Sequence, residues 1–461
     1  MKRVYFLVCS LLSLSAAAQV NLPDTVYKRV EMGLTECVAF AQEYSPLLLT
    51  VPQRLESLQL DYNSSRQAFL PNLNAQVGQN FSFGRSQGRD LGIKDTSSAN
   101  TSFSVGTDLP LFNGGQRWYQ LQKAKEARNN AGYIVADVED RIALQVTASY
   151  IQLLLAKQLA IAARDNMALT EKSLEQLKQQ VEVGRATPAQ LIDIESQLGR
   201  DRLSVTEADA DVVRSLRILM LDMGLDPEKV SNGELDVAEI SPEKVIAGLE
   251  LTRPHEVDTA WVIPATALLE KELKLSEYDV KIAKGALWPS LSLTGGYSNG
   301  YYYTYGEEFK ALNAPFKDQL KDNGRYFVGL SLNIPIFNRG QVRRQVQMAQ
   351  LQMMNLRSQL IQTRFNDDRN VVLAQTDLEK AEAQYRVAKE NVALSTQAME
   401  VADLQFKAGR INIYEWEQVK NRHLQAQASY LQSVYMRLLR TINLTYFNTG
   451  EIPTHLAEGT L

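Results

Sequence analysis

The segment Leu109-Pro110-Leu111-Phe112-Asn113-Gly114-Gly115-Gln116 returns 225 positions later as Ile334-Pro335-Ile336-Phe337-Asn338-Arg339-Gly340-Gln341. The same offset relates Gly184-Arg185 to Gly409-Arg410, and an offset of 218 relates residues 69–74 to residues 287–292. Because these matches occur in one order along the chain, they indicate two copies of a single unit. The change of offset from 218 to 225 adds seven residues to the second copy, between its two predicted strands.

Apolar and polar residues alternate between these matches, which predicts strands at about 72–83, 101–111, 290–303 and 326–336. Strands of this length with one apolar face are typical of a membrane β-barrel, whereas a soluble sandwich fits two distant hairpins poorly. The predicted lipid-facing residues are Leu73, Val77, Phe81, Phe103, Val105, Leu291, Leu293, Val328, Leu330 and Leu332. Four nearby tyrosines suit either an aromatic girdle at the membrane surface or an external loop, namely Tyr301, Tyr302, Tyr303 and Tyr305.

A long helix is predicted after each hairpin, at about 116–183 and at about 341–408. Each interval lacks proline and carries apolar residues at three- and four-residue steps, as in a coiled-coil seam. Gly184 and Gly409 are placed to end these helices in the left-handed conformation. Return helices are then predicted at about 188–222, capped by Thr187, and at about 413–446, capped by Asn412.

Four strands cannot close a membrane barrel, and an open sheet edge is not tolerated in lipid. Several protomers must therefore combine. Two protomers give about eight strands, whose interior side chains largely fill the barrel, while three give about twelve and leave room for water. A water-filled conduit therefore favours three or more protomers.

The N-terminus has the features of a secretory signal peptide at residues 1–18, with Lys2 and Arg3 before a short apolar run and small residues before Gln19. The run is too short for a membrane anchor. No later stretch contains eighteen consecutive apolar residues, so no transmembrane helix is predicted. Removal of the signal peptide leaves Cys37 as the remaining cysteine, which excludes an intrachain disulfide.

Several function classes are disfavoured by the composition. The net charge of −4 lacks the excess of positive charge that is typical of nucleic-acid-binding proteins. The three histidines, His255, His423 and His455, do not have metal-ligand spacing, and no phosphate-binding glycine loop is present. The prediction is therefore a protein without catalytic residues, metal or cofactor.

The chain resembles the TolC-like outer membrane factors, the exit channels of bacterial efflux pumps and type I secretion systems. The resemblance extends from about Leu34 to Tyr446. It rests on the strand entries at Pro71 and Pro289, the strand exits quoted above, and the helical tips around Gly184 and Gly409. Arg253-Pro254 is similar to an Arg-Pro-Asp element of the family, although His255 replaces the aspartate.

This resemblance implies a mixed α and β membrane protein. Three protomers would form a homotrimeric outer-membrane β-barrel, with four strands from each, continued by a long α-helical coiled-coil barrel across the periplasm. It divides the chain into a first repeat at 19–224, a middle equatorial segment at 225–263, a second repeat at 264–447 and a tail at 448–461. It also implies outer membrane lipid, a periplasmic adaptor protein and an inner-membrane transporter as partners. The implied adaptor contacts are the tips, Val183, Gly184, Arg185, Ala186, Thr187, Ala408, Gly409, Arg410, Ile411 and Asn412.

Acidic residues just past the tips narrow the periplasmic entrance in this family, which makes Asp193 and Glu415 the candidate constriction. Their counterparts in the other copy, Gln418 and Gln190, are neutral. Glu415 also suits a purely structural role in capping its helix.

Two other interpretations of the duplicated unit remain open. A non-conducting coiled-coil scaffold or adhesin would not need the apolar strand faces or the equal helix lengths. A soluble periplasmic adaptor would lack the two hairpins and contain a separate β domain. The passive conduit, exporting small molecules or proteins, accounts for all of these features, and its cargo is left open.

Overall fold

The structure is a computed structural model that describes residues 30–87, 93–184, 186–226, 235–252, 262–306, 309–310, 313–450 and 452. The predicted signal peptide, Arg185, the Arg253-Pro254-His255 element and most of the C-terminal tail lie outside these residues.

Ten α-helices, one 3-10 helix (Pro46–Leu49) and six strands occur in the described residues, and each copy of the unit contributes a strand pair followed by long helices. The strands are β1 Val30–Met32, β2 Asn74–Gln87, β3 Ile93–Asn113, β4 Leu235–Val237, β5 Ser290–Tyr305 and β6 Arg325–Asn333. The helices are α1 Leu34–Tyr44, α2 Thr50–Gln67, α3 Gln116–Asn129, α4 Ala131–Glu182, α5 Pro188–Asp222, α6 Pro242–Thr252, α7 Pro264–Gly285, α8 Phe316–Asp322, α9 Gln341–Lys407 and α10 Ile413–Thr449.

The two hairpins form a single antiparallel sheet in the order β2-β3-β5-β6. Strand β3 joins them, since it pairs with β2 on one side and with β5 on the other. A register shift between Pro110 and Phe112 interrupts the β3–β5 ladder. Proline has no N–H to donate to a ladder, so Pro110 accounts for the irregularity at this point.

The first long helix differs from the prediction, because the stretch predicted as one helix at 116–183 is interrupted between α3 and α4. Asn130 occupies the break, with φ −81° and ψ 0°. Asn130 and Gly132 are both weak helix formers, and they lie within three residues of each other. The second copy has no such break, and α9 continues for 67 residues. At 1.5 Å per residue it is about 100 Å long.

The middle of the molecule is a core, here called the equatorial core, which α4 forms with α1, α6, α10 and the end of α5. The short strands β1 and β4 pair in parallel beside it. Tyr150 of α4 is fully buried and its hydroxyl donates a hydrogen bond of 2.8 Å to the carbonyl of Ala238. Cys37 is buried in the same core, and this burial raises the pKa of its thiol to about 12.

The stretch Gln116–Glu182 is long and apolar enough to cross a membrane by length and composition, with a mean hydropathy of 1.3 over its most apolar window. It contains no run of eighteen consecutive apolar residues. Inside the protein, 44% of that window is buried. Apolar residues of this stretch, among them Ile142, Val146 and Leu153 of α4, pack in the equatorial core.

Candidate functional site

The sheet has one apolar and one polar face. Residues paired directly across two strands share a face, and Val77 lies opposite Phe103, while Leu293 lies opposite Leu330. Following the register through all four strands places every predicted lipid-facing residue within the strands on this same face, and Leu73 directly precedes β2 in the same alternation. The opposite face carries Gln76, Asn80, Ser102, Ser104, Ser292, Thr294 and Ser331.

The apolar face is uncovered within one protomer. Val77 is 71% exposed and Val328 is 84% exposed. Monomeric soluble proteins rarely leave an apolar surface of this extent in water. Such a face is typical of a surface that contacts a membrane or another protein.

The tyrosines of β5 divide between the two faces. Tyr301, Tyr303 and Tyr305 alternate on the apolar face, whereas Tyr302 lies on the other. The ring of Tyr301 meets Phe316 of α8 edge-on, with 5.1 Å between centroids. This contact attaches α8 to the end of the sheet that is farther from the long helices.

Amide side chains complete the edge of β5 beyond the end of β6. Gln319 accepts from the N–H of Tyr302 and donates to its carbonyl, both at 2.9 Å. Asn313 makes the same pair of bonds with Thr304, at 2.9 and 2.7 Å. Because these amides replace a neighbouring strand, the exposed end of β5 has its backbone groups satisfied.

Both long helices end at a glycine with a left-handed backbone. Gly184 has φ +72° and Gly409 has φ +67°. Thr187 then accepts a hydrogen bond from the N–H of Gln190 to begin α5, and Asn412 accepts from the N–H of Glu415 at 2.9 Å to begin α10. The two tips thus use the same turn and the same kind of cap.

The two tips lie side by side, because their helices share one buried apolar cluster, here called the tip cluster. Phe406 and Trp416 stack with 5.5 Å between ring centroids. Ala186 of the first tip and Ile411 of the second both pack against the cluster, whose buried members are Leu177, Ile194, Met399, Ala402, Phe406, Ile413 and Trp416.

The predicted constriction residues, Asp193 and Glu415, are both exposed near the tips. Part of the Glu415 carboxylate is engaged locally, since it accepts from the Asn412 amide at 3.2 Å. Burial raises the pKa of the Glu417 carboxyl, and the negative charge of nearby Asp193 makes a smaller contribution in the same direction. A third acid, Glu417, therefore belongs to this region.

A buried polar network just above the tip cluster was not predicted. Lys420 of α10 donates to Asp201 of α5 at 2.5 Å, and both are almost fully buried. Thr170 of α4 donates to the same carboxylate at 2.5 Å, and Gln197 donates to its other oxygen at 2.7 Å. Burial lowers the pKa of Lys420, and the Asp201 carboxylate opposes that change. The network fastens α10 to both helices of the first copy.

The sequence did contain a signal for Lys420. Ile413, Trp416 and Lys420 recur at three- and four-residue steps, which places Lys420 on the buried stripe of α10. A lysine at such a position requires a buried partner. The identity of that partner could not be deduced, because Asp201 lies 219 residues away in the chain.

Metal-ligating clusters are absent from the part of the chain that the structure describes. His423 lies 3.2 Å from the Ser395 hydroxyl, while His255 and His455 fall outside that part.

Comparison with known proteins identifies the same two copies. A family model described as outer membrane efflux protein matches residues 39–225 and 265–446. The chain is 23% identical to outer membrane efflux protein BepC of Brucella suis over 48% of its length and 47% of BepC, so it spans about half of that relative. It is 24% identical to outer membrane protein TolC of Vibrio cholerae over 67% of this chain and 66% of that protein.

A solved structure has the same fold. The CmeC outer membrane channel of Campylobacter jejuni superposes with a TM-score of 0.70 at 15% identity, covering 90% of this chain and 85% of that one. Since the family model matches both copies of the unit and most of the chain, the protein belongs to the outer membrane efflux protein family and is located in the cell outer membrane.

Proposed function

We propose that three copies of this chain form the outer membrane exit channel of a tripartite efflux or type I secretion system. The channel is a passive conduit for small molecules or proteins, leading from the periplasm or an inner-membrane transporter to the outside. One observation carries this proposal: the four-stranded sheet has one exposed apolar face and two open edges, and it continues into helices that also lack a partner on one side.

The open edges favour closure between protomers. Among the described residues, β2 pairs with β3 alone and β6 pairs with β5 alone. In lipid each unpaired backbone group costs several kcal/mol, so β6 of one protomer must pair with β2 of the next. Twelve strands from three protomers enclose a water-filled lumen lined by the polar face.

An exposed seam on α9 favours the same closure below the sheet. Phe365 and Val372 are seven residues apart and are 67% and 61% exposed, and Leu394 and Val401 repeat that spacing. Heptad spacing of apolar residues is typical of a helix that packs against a neighbouring helix. Within the protomer the upper helices lie in the order α2-α3-α7-α9, so in a ring α9 would meet α2 of the next copy.

The strand-exit turns favour a specific contact between neighbouring protomers. Gly114, at the exit of the first copy, packs against Gly285, which directly precedes the strand entry of the second copy. The matching exit at Arg339 and Gly340 is exposed or half-exposed in the protomer. In a trimer it would contact the strand entry near Phe69 of the next copy, so the same junction would recur six times around the ring.

We infer that the paired tips dock a periplasmic adaptor protein, which connects the channel to an inner-membrane transporter. The tip residues are at the far end of α4 and α9 from the sheet, and Val183 is 68% exposed there. Equal helix intervals in the two copies bring both tips to one depth. A trimer would therefore present six similar hairpin ends to the adaptor.

The conduit is tested by reconstituting the purified protein in planar lipid bilayers and measuring its mass in detergent. Trimer mass together with discrete ion-conducting steps is the expected result. The double variant Phe365→Glu, Val372→Glu should not form the trimer. The control Lys380→Glu, on the same helix, should still form it. A monomer that is released from membranes by salt or carbonate would instead indicate the coiled-coil scaffold.

The entrance constriction is tested in the same bilayers. If Asp193 and Glu415 narrow the lumen, replacing both by alanine should raise single-channel conductance or weaken cation preference. Glu195→Ala, on the same helix as Asp193, is the control. Unchanged currents in the double variant would exclude these two residues as the constriction.

A further inference from the structure

The junction between the sheet and the long helices has a distinctive charge. The ten residues next to each strand on the helical side are 64–73, 114–123, 280–289 and 334–343. None of these residues is acidic, although the chain as a whole has 53 acidic and 49 basic residues. Seven of them are basic, namely Arg66, Arg117, Lys123, Lys281, Lys284, Arg339 and Arg343.

The other end of the sheet does not share this bias. The connections there, residues 88–92 and 306–324, contain four basic and five acidic residues. The basic residues are Arg89, Lys310, Lys317 and Lys321, and the acidic residues are Asp90, Glu307, Glu308, Asp318 and Asp322. The positive charge is therefore specific to the end from which the helices leave.

Exposed aromatic and aliphatic side chains are interleaved with these cations. Trp118 is 57% exposed and Trp288 is 64% exposed, so this junction contains two of the four tryptophans of the chain. Tryptophan is enriched where a membrane protein passes from hydrocarbon to headgroups, because its ring is apolar and its N–H is polar.

Arg117 shows how a cation is held among these rings. Its guanidinium lies 5.8 Å from the centroid of Phe69, and its terminal Nη2 is buried without a hydrogen-bond partner in the described part of the chain. Lys123 differs, since it is ion-paired with Asp279 at 2.6 Å. Lys284 and Arg343 are exposed. The junction thus offers the exposed cations of Lys284 and Arg343 as donors for an anion.

We propose that this junction is a collar that binds the phosphate headgroups of anionic phospholipids in the periplasmic leaflet of the outer membrane. The collar continues the apolar face of the sheet at its periplasmic end, where the headgroups of that leaflet lie. Arginine and lysine bind phosphate through charge-assisted hydrogen bonds, and the aromatic rings contact the adjoining acyl chains. The proposal rests on the membrane insertion proposed above, and it adds a preference among lipids.

The test uses the tryptophans of the collar as reporters. Purified wild-type protein is placed in phosphatidylcholine vesicles containing increasing fractions of acyl-brominated phosphatidylglycerol, and fluorescence quenching is compared with that by brominated phosphatidylcholine. We expect the phosphatidylglycerol to quench at lower mole fractions. Trp118→Phe with Trp288→Phe should remove most of this quenching.

The collar variant Arg117→Gln, Lys284→Gln, Arg343→Gln should reduce the preference for phosphatidylglycerol at least about fivefold, since one basic residue near an anionic surface contributes roughly that factor. The matched variant Lys310→Gln, Lys317→Gln, Lys321→Gln removes the same charge from the other end of the sheet and should retain the preference. Equal quenching by the two lipids in wild type, or equal loss in both variants, would overturn the proposal. If the collar variant lost adaptor binding but kept the lipid preference, that result would also overturn the proposal, because the collar would then be a protein contact.

Conductance and trimer mass, measured on the same vesicles and detergent samples, report the conduit separately. A trimeric conducting channel without lipid preference would reject the collar alone, whereas a protein that does not insert would reject the conduit.

Discussion

The two long helices come from the same duplicated unit, yet they are buried to very different extents. Leu153 of α4 and its counterpart Leu378 of α9 are both buried, as are Ala156 and Ala381. In contrast, Tyr150 is fully buried, whereas its counterpart Gln375 is exposed. The retained positions form the seam inside each hairpin, while the altered ones follow the surroundings, because α4 contributes to the equatorial core and α9 does not.

The largest effect is expected where the two copies are fastened together. Lys420→Met should destabilise the protein by about 3–5 kcal/mol, because it leaves the Asp201 carboxylate buried without its cation. Thermal loss of the helical circular dichroism signal in detergent measures the change. The double variant Lys420→Met, Asp201→Leu should recover most of the loss. A double variant as unstable as the single one would show that other contacts of Lys420 dominate.

Exchanging residues between matched positions sharpens the comparison of α4 with α9. Tyr150→Gln should cost about 3 kcal/mol, since it removes a fully buried ring and its hydrogen bond to Ala238. The reverse exchange, Gln375→Tyr, should change stability by less than about 0.5 kcal/mol because the position is exposed. The thermal unfolding midpoints of the two variants, each compared with that of the wild type, measure the two changes in stability. Equal losses of stability would mean that these positions of α4 and α9 are buried alike.

The strand-exit turns provide the next comparison. A Cβ at Gly114 would lie 2.0 Å from the carbonyl oxygen of Gly285, so Gly114→Ala forces the backbone to shift. We expect a loss of about 2–3 kcal/mol, measured by the same thermal unfolding. Arg339 occupies the matching position with a side chain already present, so Arg339→Ala is the control and should be nearly neutral. A harmless Gly114→Ala would contradict the close backbone contact.

The smallest expected effect is a gain of stability at Arg339. Arg339 is the non-glycine residue with positive φ among the described residues, at +52°. Arg339→Gly should stabilise the protein by about 1 kcal/mol, because a left-handed backbone costs other residues roughly this much. Arg343→Gly, within the helix α9, is the control and should destabilise the protein by about 1 kcal/mol. A shift of the unfolding midpoint to lower temperature in Arg339→Gly would show that the arginine side chain itself stabilises the turn.

Much of the architecture could be read from the sequence because its determinants are local. Alternation of period two along Leu291 and Leu293 specifies a strand with one apolar face, and glycines such as Gly184 and Gly409 end helices through their own backbone freedom. Comparison of the two copies added the equal intervals between the strand exits and the helical tips. The break at Asn130 was missed because weak helix formers such as Asn130 and Gly132 are often tolerated within a long helix.

By itself, then, the sequence determined the duplicated unit, the strand faces, the helix ends and the absence of familiar catalytic motifs, since each of these depends on neighbouring residues and periodicity. Only the tertiary structure decided that α4 rather than α9 packs in the equatorial core, that the two tips share one cluster, and that Lys420 pairs with Asp201. These are contacts between residues far apart in the chain. Their geometry follows from how the two copies pack together, and no local pattern records it.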